Sequence, residues 1–282
     1  MKIAYVTDSG SGRSIDEQAA DGIYSLPLQI MEGSNSYQDL ETISQSSIIS
    51  LLEQKKVMTT SQPSPGLITD LFENLKAQGV EMIVAVPICN GLSGTISTMN
   101  AIAADLGLQF LSFDTYTTAS VENYLIHRIK QLNEEGHSPM EVRVSAENII
   151  SSCETIVIPG DLMHLARSGR LTASAARMAT LLRITPILHL NRETAGKIDT
   201  YDKVISMRRA MKRVLEHMKE ANLDENWHLT ITHVNAIDLA ETFYHQAQEM
   251  FPKAEMEILP LCSPVAVHVG IGSLCLQYFR KQ

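Results

Sequence analysis

Met82-Ile83-Val84-Ala85-Val86-Pro87-Ile88 is a continuous apolar run that leads directly into the glycine-rich turn Gly91-Leu92-Ser93-Gly94-Thr95. A strand with one wet face alternates apolar and polar residues; an unbroken run predicts a strand in a sheet covered on both faces. Working outward, Ser64-Pro65 reads as a helix start, a capping hydroxyl followed by proline at the first helical position. Leu67, Ile68, Leu71 and Leu75 continue it with helical spacing. After the glycine turn the pattern predicts a helix to Ile102, a strand over 108–113 and a helix over 121–132. Nearer the amino terminus, 2–6 reads as a buried strand ending at the turn Thr7-Asp8-Ser9-Gly10. Ser14-Ile15-Asp16-Glu17 has capping-box spacing, 23–30 reads as one strand, and 46–55 as a helix. This βα alternation predicts a parallel, doubly wound sheet.

The pattern changes after 155–158. Residues 161–182 read as largely helical, interrupted at Ser168-Gly169-Arg170, and 184–190 and 197–201 as paired strands. A helix over 207–218, a strand over 228–233, a helix over 239–250 and a strand over 255–261 complete a mixed α/β unit. The expected organisation is an α/β domain over 1–160 and a second α/β domain over 161–282.

The chain has 282 residues, a net charge of -9 and 44% hydrophobic residues. That balance gives a large core and disfavours a nucleic-acid or anionic-membrane surface. Cys89, Cys153, Cys262 and Cys275 are widely spaced, so buried thiols in a reducing cytoplasm are expected and a zinc site is not. The first apolar residues reach Asp8 too soon for a signal peptide, and no stretch approaches the ~18 apolar residues of a membrane span. A soluble cytoplasmic protein is the expectation, with no integral membrane segment and no nucleic-acid partner. The 13 methionines suit adaptable packing and also suit a flexible apolar ligand.

Three segments carry groups suited to a small anion. Thr60-Ser61-Gln62-Pro63-Ser64 offers hydroxyls in what reads as a turn, although a turn capping the following helix has the same composition. Ser93 lies between two glycines, ahead of a helix whose free N–H groups and dipole favour a negative charge. His268 stands between an apolar run and Gly270 and Gly272, where a structural histidine is the alternative; either protonation state donates to a carboxylate. Gly94 and Gly270 would add backbone donors. Arg167-Ser168-Gly169-Arg170 is a small basic turn, either solvated or a docking point for a phosphate or an acidic partner. A rival constellation exists: Ser93, Asp114 and His268 follow the hydrolase order of nucleophile, acid and histidine, yet Thr95 replaces the second elbow glycine.

Taken together these segments resemble the DegV family, whose members include the fatty-acid-binding subunits of bacterial fatty acid kinase. The resemblance runs nearly end to end, through Thr7-Asp8-Ser9, Thr60 to Ser64, Gly91 to Thr95, Leu165-Ala166-Arg167-Ser168-Gly169-Arg170-Leu171, Thr185-Pro186-Ile187-Leu188 and His268 to Gly272. It implies a three-layer α/β/α parallel-sheet domain and a two-layer α/β domain with a mixed sheet, burying a long-chain fatty acid. Thr60, Ser93 and His268 would hold the carboxylate, with Ser61 beside them. Arg170 would face an ATP-binding kinase subunit that phosphorylates the bound acid for phospholipid synthesis. No cofactor and no metal are implied, and no turnover by this chain alone. Ile205 stands where kinase-linked members commonly carry arginine, which also suits a lipid sensor or storage protein without a kinase.

Overall fold

The computed structural model describes residues 1–178 and 184–282. The chain packs as two compact units, Met1–Glu147 with Cys262–Val267, and Asn148–Leu261 with His268–Gln282.

The first unit begins with β1 (Ile3–Asp8), a 3-10 turn (Ser9–Ser11) and α1 (Ile15–Ala20). Ser14 and Glu17 form the reciprocal capping box that their spacing predicts. The single strand expected over 23–30 is two: β2 (Tyr24–Leu26) and β3 (Gln29–Glu32). Pro27, between them, has no N–H to continue a ladder. β4 (Asn35–Gln38), α2 (Gln45–Glu53) and β5 (Met58–Ser61) follow. β3 pairs antiparallel with both β4 and β5 in a small three-stranded sheet. Thr60 and Ser61 therefore belong to a strand and not to a turn.

Next come α3 (Pro65–Ala77), β6 (Met82–Ala85), α4 (Thr95–Asp105), β7 (Gln109–Ser112), α5 (Ser120–Glu134) and α6 (Pro139–Ser152). Ser64 caps α3 through the Leu67 N–H. The order β2-β1-β6-β7 is parallel throughout. Its two faces separate by the alternation of strand side chains. Ala4, Val6, Ile83 and Ala85 pack with Ile68 and Phe72 of α3 and Met99 of α4. On the opposite side Thr7 bonds Glu122 of α5. Helices on both faces make the three-layer domain. The helix α6 has its own signal, Ser138 and Glu141 in a capping box ahead of Pro139, which the periodicity reading missed.

The second unit contains β8 (Glu154–Ile158), α7 (Leu162–Arg167), α8 (Ala173–Met178), β9 (Thr185–Leu190), β10 (Asp199–Val204), α9 (Met207–Ala221), β11 (Trp227–His233), α10 (Ile237–Met250), β12 (Glu255–Pro260), α11 (Ser263–Val269) and β13 (Leu274–Arg280). The first residues of α11 pack with the first unit. The end of the helix expected up to Leu182 lies outside the described residues. The mixed sheet runs β10-β9-β8-β13-β11-β12, with only β11 and β12 parallel. Helices α9 and α10 cover one face: Val214, Met218 and Phe243 pack on Ile156, Ile231 and Leu276. One helical layer on one sheet makes this the two-layer domain. β13, which sequence reasoning left unassigned, pairs with both β8 and β11 inside that sheet. Cys89, Cys153, Cys262 and Cys275 are buried thiols, with no disulfide among the described residues.

Candidate functional site

In the first unit the groups read as anion ligands sit on two adjoining elements. Thr60 and Ser61 end β5, paired opposite Ile30 and Gln29 of β3. Thr60 is half-buried and Ser61 exposed. The next residue, Gln62, donates from Nε2 to Thr98 Oγ1 on α4 at 2.8 Å. A side chain on Gly94 would stand 2.9 Å from Gln62 Oε1. Gln62 thus brings the Thr60 strand against the Ser93–Gly94 turn, a role that its position inside the hydroxyl segment did not reveal. Ser93 Oγ is 2.8 Å from Thr95 Oγ1. Gly94 begins α4 without a side-chain cap among the described residues, so first-turn N–H groups and the helix dipole favour an anion there.

The loop that carries Ser93 is tied down amide by amide. Ile88 N–H donates to Asp8 Oδ2 at 3.1 Å. Cys89 N–H donates to Thr117 O at 3.1 Å, and Leu92 and Ser93 N–H both donate to Cys89 O at 3.1 Å. Asp114 accepts from Asn90 N–H at 3.3 Å and from Tyr116 N–H at 2.9 Å, one bond to each carboxylate oxygen. These are the bonds of a loop brace. They give the serine-hydrolase reading no support from Asp114.

In the second unit, His268 lies in the last turn of α11, partly buried. Gly270 has φ 80, a left-handed conformation that glycine adopts without strain, and a side chain there would stand 3.0 Å from His164 Cδ2. Burial, followed by the positive charges of Arg170 and His164, lowers the His268 pKa to about 3. The imidazole is neutral near neutral pH and offers one N–H donor. Arg170 is partly buried, and its Nη1 donates to Ser168 O at 2.6 Å. Arg167 and Gly169 are exposed, so the basic turn is in good part solvated. His164 joins the cluster unanticipated, because nothing in its local sequence marks it. Thr60, Ser61, Ser93 and Gly94 thus belong to the first unit, and His268, Gly270 and Arg170 to the second. Among the described residues no group of three or more His, Cys, Asp or Glu is arranged to hold a metal, and no helix is long and apolar enough to cross a membrane.

The depressed His268 pKa has a testable sign. An unfolded histidine, titrating near ~6.5, takes up a proton that the folded protein refuses. The contribution to stability is present above that value and lost as pH falls toward about 3. Urea titrations from neutral to mildly acidic pH should show wild-type folding constants falling faster than those of His268→Gln, by up to about tenfold per pH unit. Parallel profiles would show that burial does not hold the ring neutral.

Comparison with known proteins gives a consistent picture. A family model described as an uncharacterised protein of the DegV family matches residues 2–281. A DegV domain-containing protein of Halalkalibacterium halodurans is 28% identical over 284 residues, covering 100% of this chain and 99% of that protein. Among solved structures, a fatty acid binding DegV family protein from Streptococcus agalactiae aligns with a TM-score of 0.90 and 27% identity, covering 100% of both chains. DegV, a fatty acid binding protein from Bacillus subtilis, shares the fold at a TM-score of 0.86 and 23% identity, covering 100% of both chains.

Proposed function

The chain belongs to the DegV family, and from that premise we propose that it binds a long-chain fatty acid and holds its carboxylate with Thr60, Ser61, Ser93 and His268. The observation that carries this reading is the full-length likeness to the Streptococcus agalactiae protein, described as fatty acid binding. The residues supply the matching chemistry. Burying an acyl chain stabilises by about 0.8 kcal/mol per CH₂, on the order of 12 kcal/mol for ~15 methylenes before ordering and desolvation costs. The carboxylate is the expensive end. Hydroxyls, one neutral imidazole and the backbone N–H groups at Gly94 and Gly270 compensate it without a metal.

Such an arrangement leaves a carboxylate oxygen able to attack phosphorus. We therefore read the protein as a cytoplasmic acyl-carrying subunit of a two-component fatty acid kinase, inactive alone, that meets its ATP-binding partner at Arg170 and feeds acyl-phosphate to phospholipid synthesis. Ile205 favours a second reading, a lipid sensor or storage protein with no kinase. It is 66% exposed, so an apolar side chain stands in solvent where a kinase-linked member commonly presents arginine. Capture of an ATP-binding partner that is lost on Arg170→Ala separates the two.

Native mass spectrometry of the protein as purified, followed by extraction, tests the core of the proposal. The expected result is one fatty acid per chain. A chain that arrives empty and takes up no added palmitate would overturn it.

A further inference from the structure

Asp8 and Glu122 are each 0% exposed, and both border the Cβ position of residue 10, 2.7 Å from Asp8 Oδ1 and 3.0 Å from Glu122 Oε2, so the two carboxyl groups are less than about 6 Å apart. Two carboxyl groups this close and out of water do not both ionise, so the pair retains a proton. The surroundings decide where it resides. Asp8 accepts two backbone amides, Gly10 N–H at 2.8 Å and Ile88 N–H at 3.1 Å, which favours the charged form. Glu122 meets hydroxyls: Thr7 Oγ1 at 3.0 Å and Thr118 Oγ1 at 2.9 Å. Each hydroxyl has one proton to give and also lies within reach of a backbone carbonyl, Thr7 of Val86 O at 2.8 Å and Thr118 of Gly10 O at 3.1 Å. The pair therefore gathers the ends of three loops, 9–12, 86–93 and 115–119. Residue 10 must be small, because a Cβ there would lie 2.7 Å from Asp8 Oδ1, 2.9 Å from Thr118 Oγ1 and 3.0 Å from Glu122 Oε2.

We propose that Asp8 and Glu122 are positioning residues, a buried carboxyl pair sharing one proton that holds the 86–93 loop and so sets Ser93 for the carboxylate. The proposal rests on the reading of Ser93 as a fatty-acid ligand. Burial, and then the Asp8 charge, raise the Glu122 pKa well above the ordinary carboxyl range. Burial likewise raises Asp8, aided by the charge of Asp39. Cys89 faces Glu122 and Asp114 from the loop itself, and its thiol is pushed up by burial. A raised acid contributes stability that is full below its unfolded pKa and lost as pH rises through the folded one.

The test uses the full chain, with amide hydrogen exchange of the ligand-free protein and palmitate as the binding probe. Asp8→Asn and Glu122→Ala should each speed exchange over 88–93 and weaken palmitate binding, roughly tenfold or more. The second-unit strand Trp227–His233 should keep its protection. Glu122→Gln, which keeps a donor for Asp8 but cannot ionise, should restore slow exchange. Its folding constant should also fall less steeply as pH rises than that of the wild type, which loses up to about tenfold per pH unit for each proton. Wild-type exchange in Asp8→Asn would overturn the proposal, and so would a Glu122→Gln variant as fast as Glu122→Ala. Slow exchange that depends on the pair supports the positioning role even if the wild type takes up no palmitate, an outcome that overturns the fatty-acid reading alone.

Discussion

Gly160→Ala is expected to cost on the order of 3 kcal/mol or more, a large part of the stability of an ordinary domain. The added methyl would collide with Ile271 O and lie 2.9 Å from Gly272 C and 3.1 Å from Gly272 Cα. All three are backbone atoms, so no rotamer change relieves the contact. The opposing loop is also fixed: Gly272 N–H donates to Val234 O at 2.8 Å and Ser273 Oγ to Val269 O at 2.8 Å. Gly160 N–H is itself held by Ser273 Oγ at 3.0 Å. Relief therefore means parting the turn after β8 from the turn before β13, which lead into two paired strands of the mixed sheet. Gly66→Ala is the control. A Cβ there meets nothing within 4 Å, and the helix should gain roughly 0.5–1 kcal/mol from the lost backbone freedom. Urea midpoints of both variants decide the matter. A Gly160→Ala protein within about 1 kcal/mol of wild type would mean that the crossing is looser than these contacts require.

Ser93→Ala and His268→Ala should each weaken palmitate binding by roughly tenfold to a hundredfold, the range for a hydrogen bond to a charged group. The effect exceeds that of trimming the acyl pocket by one methyl, because each variant leaves part of a desolvated carboxylate unpaired. Calorimetry on delipidated protein reads it directly, with circular dichroism to show that each variant is folded. Ser93→Ala also removes the partner of Thr95 Oγ1, so a small stability loss is expected alongside. Unchanged affinity in both variants would remove these residues from the head-group site and leave Thr60 and the backbone donors to carry it.

The sequence by itself determined the features whose causes lie within a few residues of one another. The capping pairs Ser14–Glu17 and Ser138–Glu141 bridge three positions, Ser64–Pro65 starts α3, and the apolar run at 82–88 requires a covered strand. From these follow the βα alternation and the parallel sheet, and the ordered motifs identified the family. Tertiary structure alone decided what depends on distant partners. Pro27 divides one apparent strand between two sheets, and β13 enters the mixed sheet between strands that precede it in the chain. Gln62 reaches Thr98 and closes on Gly94, placing the Thr60 strand beside the Ser93 turn. Burial, and then the charges of Arg170 and His164, hold the His268 ring neutral, while Asp8 and Glu122 are buried together beside Gly10. Each of these effects is set by burial and by charges brought close by packing, and neither a residue's type nor its immediate neighbours encode them.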